Sequence, residues 1–218
     1  MNKYIIFDID DTLVETFENS YAIFCEIAHF YNMLSINREE FLEQYMKWNF
    51  DNNIQHFFWW KDSLDNTKLL YNSIKKNLPK KKIINPQYFT KLLDWWYKIW
   101  ILTNWPANKT VEKLNYLGIT DLCSIIFHEW NMNHKKPNPE VFEDIYKAIG
   151  TKDIEIIYIW DALVDYSATK WNNIAFYAVL TWYTSKEEFL DLWLDESHVY
   201  SDVNYLLSNL LNEGNPNL

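Results

Sequence analysis

The feature that most restricts what this chain can fold into is an alternation of short apolar runs with helical stretches. Residues 99–102, 124–127, 155–159, 175–180 and 199–200 read as strands. Residues 109–117, 139–149, 165–170, 186–193 and 203–211 between and after them carry apolar residues at helical spacing. Gly118 and Gly150 follow two of these stretches directly, where a residue free to take positive φ ends a helix. An earlier run, Tyr4-Ile5-Ile6-Phe7, is apolar throughout, as in a parallel strand buried on both faces. Strand and helix taking turns specify an α/β domain with a parallel sheet.

Between the first run and the alternating part, residues 17 to about 97 are helical in pattern. Tyr21, Phe24, Cys25, Ala28 and His29 recur at three- and four-residue intervals, and residues 41–48 and 68–76 form further helical stretches. The expected organisation is therefore a core of residues 1–15 and 98–218 with a helical insert over residues 16–97. The basic run Lys80-Lys81-Lys82 reads as a solvated connection, and residues 212–218 as a loose tail.

The totals exclude several classes. Of 218 residues, 49% are hydrophobic, enough to build a core and too many for a disordered chain. The formal net charge of −10 argues against nucleic acid as a partner, since phosphate backbones call for a basic surface. One small phosphate in a locally charged pocket remains compatible with it. Cys25 and Cys123 are far apart in sequence and read as reduced thiols. No apolar run approaches the ~20 residues that cross a bilayer. The N-terminus lacks a signal-peptide layout, so the cytoplasm is the expected location.

Ligands of open α/β sheets bind at the carboxyl ends of the strands. Four such places carry reactive residues: Asp8-Ile9-Asp10-Asp11-Thr12 after the first run, Thr103-Asn104 after the second, Lys136-Pro137 before a helix, and Asp161 with Asp165 after a later strand. This set, in this order, resembles the haloacid dehalogenase-like hydrolase superfamily, whose pattern is Asp-x-Asp-x-Thr, a strand-end Thr or Ser, Lys-Pro, and Asp-x-x-x-Asp. The helical insert resembles the cap of its phosphoglycolate phosphatase-like branch. The resemblance implies a Rossmann-like three-layer parallel sheet core with an inserted α-helical cap, and a Mg2+-dependent phosphatase acting on a small phosphorylated metabolite.

The roles it implies agree with the chemistry of the side chains. Asp8 would attack phosphorus and form an aspartyl-phosphate. Asp10 would protonate the leaving oxygen and later take a proton from water. A carboxylate approaching a phosphate dianion needs a hard cation to offset the repulsion. Asp8 and Asp161, with the backbone carbonyl of Asp10, would hold Mg2+, and Asp165 would support the ion or the lysine. Thr103, Asn104 and Lys136 would hold the phosphoryl oxygens. Thr12 would brace the loop, and Asp11 has a structural part. The dehalogenase branch lacks an aspartate at the Asp10 position, so Asp10 favours phosphoryl transfer. A sugar phosphomutase would use the same aspartates, and a binding protein with a dead site is the reading from another class. His128, Glu129 and His134 lack the His-Glu-x-x-His spacing of a zinc protease and read as loop residues. Substrate identity and oligomeric state are not encoded in these motifs.

The chain departs from the family pattern in one consistent way. Trp105 and Trp160 stand where relatives carry Gly, and Trp95, Trp96, Trp100 and Trp171 fall where a turn or tight packing favours it. Three Gly and twelve Trp together match the ~15 glycines that ordinary usage of ~7% gives a chain of this length. Arg38 is the sole arginine, and Asn, Lys and Ile are abundant, as in AT-rich genes. These counts suggest UGA codons that one code reads as Gly and another as Trp. If tryptophan is what is made, a crowded and inactive site is expected.

Overall fold

A computed structural model describes residues 3–47, 49–163, 166, 169, 174–180 and 184–213. Six strands form one sheet: β1 (Lys3–Phe7), β4 (Tyr97–Leu102), β5 (Ile125–Phe127), β6 (Ile156–Trp160), β7 (Ile174–Val179) and β8 (Val199–Tyr200). Their spatial order is β5-β4-β1-β6-β7-β8, and every pair is parallel. Counting only these strands, the order is third-second-first-fourth-fifth-sixth, which reverses at β1. Two further strands, β2 (Val14–Glu15) and β3 (Lys81–Lys82), pair with each other.

The three-layer build follows from the two-residue period of a strand. Ile5 and Phe7 of β1, Ile99 and Ile101 of β4, and Ile159 of β6 enter one core. Tyr4 and Ile6, Trp100 and Leu102, and Tyr158 and Trp160 enter the other. The first core is closed by α5 (Gln87–Asp94), α6 (Ala107–Leu117) and the helix Val203–Glu213, through Phe89, Leu92, Leu114, Leu117, Leu206 and Leu207. The second is closed by α7 (Val141–Ile149) and the helix Lys186–Asp191, through Phe142, Ile145 and Phe189. Strands covered on both faces are apolar at most positions, which accounts for their hydrophobic runs.

The chain divides into two compact units, Met1–Val14 with Lys82–Leu218, and Glu15–Lys81. The second unit holds α1 (Phe17–Phe30), α2 (Arg38–Lys47), α3 (Phe50–Phe58) and α4 (Leu64–Asn77) around Phe17, Phe24, Ile27, Phe41, Phe57 and Phe58. The sequence placed the end of the insert at residue 97; the structure ends that unit at Lys81. The reason lies in α5, whose Phe89 stacks on Phe7 of β1 with ring centroids 5.0 Å apart. Its apolar face belongs to the sheet. The stretch expected as a helix over residues 165–170 falls largely outside the described residues. Cys25 and Cys123 are free thiols, and burial pushes Cys123 up to about 12, so it stays protonated. Among the described residues, no helix is long and apolar enough to cross a membrane.

Candidate active site

Strand register brings the site together. Phe7, the last residue of β1, pairs with Ile101 on one side and Ile159 on the other. Asp8 leaves the sheet one residue later, with its backbone N–H donated to the Ile159 carbonyl at 3.1 Å. Thr103 and Asp161 leave the neighbouring strands directly after Leu102 and Trp160. The reversal of strand order at β1 is where an α/β sheet opens a crevice for a ligand.

Asp8 and Lys136 form a buried ion pair. Lys136 Nζ lies 2.6 Å from Asp8 Oδ1 and donates to the Leu102 carbonyl at 3.1 Å. Both residues are buried. Burial pushes the Asp8 carboxyl above its ordinary range; the Lys136 ammonium opposes that, and the nearby Asp10 charge adds to it. Asn104 fixes the lysine by its backbone, donating Nδ2–H to the Lys136 carbonyl at 2.9 Å and accepting the Lys136 N–H at 3.0 Å. The sequence assigned Asn104 to phosphate; in the structure its amide grips Lys136.

Asp161 is buried and accepts a hydrogen bond from the Thr12 hydroxyl at 3.2 Å. The expected brace of the first loop by Thr12 thus runs to the other metal-binding candidate. Asp11 adopts a left-handed backbone with φ 52°, which Asp tolerates better than most residues. It turns the loop so that its N–H reaches the Val14 carbonyl at 2.8 Å. Thr103 is buried at the tip of β4, its hydroxyl 3.4 Å from the Trp105 N–H. Asp165 lies outside the described residues.

One neighbour was not foreseen from the motifs. Lys113 of α6 is ion-paired with Asp10, and its ammonium also sits 4.4 Å from the Trp105 ring centroid. No pattern in sequence marks a lysine ten residues past Thr103; only the helix brings it back over the strand end. Trp160 faces Lys136, with the ring centroid 2.9 Å from Nζ. His134 pairs with Glu140, and His128 accepts the Trp130 N–H, in keeping with loop roles.

The donors that could hold a cation are oxygens only: the Asp8 and Asp161 carboxylates and the Asp10 carbonyl. Such a set suits a hard ion such as Mg2+ and not a soft one. Among the described residues no three or more His, Cys, Asp or Glu side chains form a metal cluster of their own.

A family model described as haloacid dehalogenase-like hydrolase matches residues 5–179. No curated protein sequence matches the chain closely. Among solved structures, a candidate beta-phosphoglucomutase from Thermotoga maritima superposes with a TM-score of 0.78 at 18% identity, covering 98% of this chain and 100% of that one. A candidate phosphoglycolate phosphatase from Haemophilus somnus 129pt gives 0.73 at 17% identity, with 98% of each chain covered. A haloacid dehalogenase-superfamily hydrolase of subfamily IA from Geobacter sulfurreducens gives 0.69 at 16% identity, with 96% of each covered. At these identities the likeness concerns the fold. The family model spans the first aspartates, the lysine and the last strand-end aspartates together, and on that match the chain belongs to the haloacid dehalogenase-like hydrolases.

Proposed function

We propose that this chain is a Mg2+-dependent phosphatase that hydrolyses a small phosphomonoester through an aspartyl-phosphate on Asp8. The observation that carries the reading is the buried Lys136–Asp8 pair, 2.6 Å apart at the strand ends that also present Asp161. Asp8 Oδ attacks phosphorus in line with the leaving oxygen, and the P–O ester bond breaks as the new P–O bond forms. Asp10 gives its proton to the departing alkoxide. It then takes a proton from water, which attacks the aspartyl-phosphate, releases inorganic phosphate and restores Asp8. Lys136 holds negative charge on the transferring oxygens, and Thr103 donates its hydroxyl there. Asn104 keeps the lysine in place. When bound, Mg2+ supplies positive charge against the repulsion between carboxylate and phosphate, held by Asp8, Asp161 and the Asp10 carbonyl. The partner is then a small phosphorylated metabolite, and the net charge of −10 disfavours nucleic acid.

Turnover of p-nitrophenyl phosphate with Mg2+ tests the reading. Phosphate release that disappears with EDTA and in Asp8→Asn supports it. No release by the chain, with Trp105 and Trp160 or with Trp105→Gly and Trp160→Gly, refutes it in favour of a binding role. A phosphomutase would instead isomerise a sugar phosphate with no net gain of inorganic phosphate.

A further inference from the structure

We infer that the working protein carries glycine in place of Trp96, Trp100, Trp160 and Trp193, because the gene writes these positions with UGA codons that its cell reads as glycine. The inference stands apart from the phosphatase reading, since it rests on backbone geometry and packing.

Four helix ends make the case. Gly118 ends α6 with φ 76°, and Gly150 ends α7 with φ 88°. Trp96 follows α5 with φ 64°, and Trp193 follows the helix Lys186–Asp191 with φ 68°. The last of these is a complete Schellman motif: Trp193 N–H donates to the Leu190 carbonyl at 2.9 Å and Leu194 N–H to the Phe189 carbonyl at 3.2 Å. Phe189 and Leu194 belong to one apolar cluster, the hydrophobic contact that accompanies such ends. The position after the cap requires a left-handed residue, which is ordinarily Gly and sometimes Asn. Among the described residues, the other non-glycine positions at positive φ are Asp11 and Asn32, both of the tolerant kind. Tryptophan at such a position is a true outlier.

Side-chain environments agree. Trp193 is 90% exposed and Trp96 81%, although indole is on average well buried. The two indoles that enter the core fare no better. Trp100 lies in β4 and packs edge-on against Tyr4 with ring centroids 5.0 Å apart, but its Nε1–H is buried and without an acceptor. An unmet buried donor is costly. The Trp160 ring presses on Lys136 Nζ, the atom that also contacts Asp8. One cause covers all four: glycine has no side chain to strain, strand or crowd.

Mass spectrometry of peptides from the protein made in its own cells, with the gene read at the same codons, tests the inference. Glycine in the four peptides and UGA in the gene are expected. Tryptophan in those peptides, or UGG codons, would overturn it. A second readout uses the tryptophan-bearing chain and needs no activity. Trp96→Gly and Trp193→Gly remove exposed indoles and relieve the left-handed backbone, so each should raise Tm by about 2–4 °C. A lower Tm for both would contradict the geometry on which the inference stands.

Discussion

In the proposed reaction Asp10 meets a leaving oxygen, and in the structure its carboxylate is ion-paired with Lys113. On the proposed mechanism, that lysine is a positioning group for Asp10. Lys113→Met is expected to lower kcat about tenfold, roughly 1.4 kcal/mol of barrier, with a smaller change in KM, and Lys113→Arg to keep more of the rate. Steady-state kinetics on the three proteins checks this; an unchanged kcat in Lys113→Met removes the lysine from the mechanism. Asp8 carries a pH consequence of defined sign. Its folded-state pKa is raised, first by burial, so it keeps its proton to higher pH than the ordinary ~3.9. A cation needs the deprotonated carboxylate. Mg2+ affinity should weaken as pH falls into that raised range, before an ordinary carboxylate would titrate. Calorimetric Mg2+ titration at stepwise lower pH shows it, and an affinity flat down to the ordinary range contradicts it. Asp8, Thr103, Asp161 and Lys136 could be singled out in sequence as candidates because each directly follows a strand or precedes a proline. Lys113 and the grip of Asn104 on Lys136 were not, because both depend on contacts across the fold.

At the scale of elements, strands were easier to place than the membership of helices. Runs such as residues 99–102 announce themselves because both faces are buried. A helical period, by contrast, shows that one face is apolar without saying which core receives it. For α5 that ambiguity moved the boundary of the insert from Lys81 to residue 97. The packing of Phe89 on Phe7 yields a direct check. Phe89 is fully buried, so Phe89→Ala should destabilise the sheet unit by about 3–5 kcal/mol through lost burial and a cavity. Denaturant unfolding measures this, and a cost below 1 kcal/mol would mean that α5 is not part of that core. Helix ends were legible where a glycine stood. Gly118 has open space where a Cβ would go, so its Ala variant feels backbone strain alone, about 1 kcal/mol by thermal unfolding. A neutral Gly118→Ala would weaken the reading of the left-handed ends.

Across the whole molecule, chain order and spatial order differ in one way that matters. Residues 8, 103 and 161 are far apart in sequence, yet β1 runs between β4 and β6, so their strand tips are adjacent. Parallel pairing points all three tips the same way, and right-handed crossovers put helices on both faces, leaving the tips as the open edge. The acidic total charge says little about that edge, where Lys136 and Lys113 are ion-paired with Asp8 and Asp10. On the proposed function, this edge is a phosphoryl-transfer site with Asp8 as the nucleophile. Brief mixing of the protein with p-nitrophenyl phosphate and Mg2+, followed by acid quench and peptide mass analysis, tests it most directly. A phosphoryl adduct is expected on the peptide containing Asp8, absent in Asp8→Asn together with turnover. Sustained turnover by Asp8→Asn, or an adduct on a different residue, would contradict it.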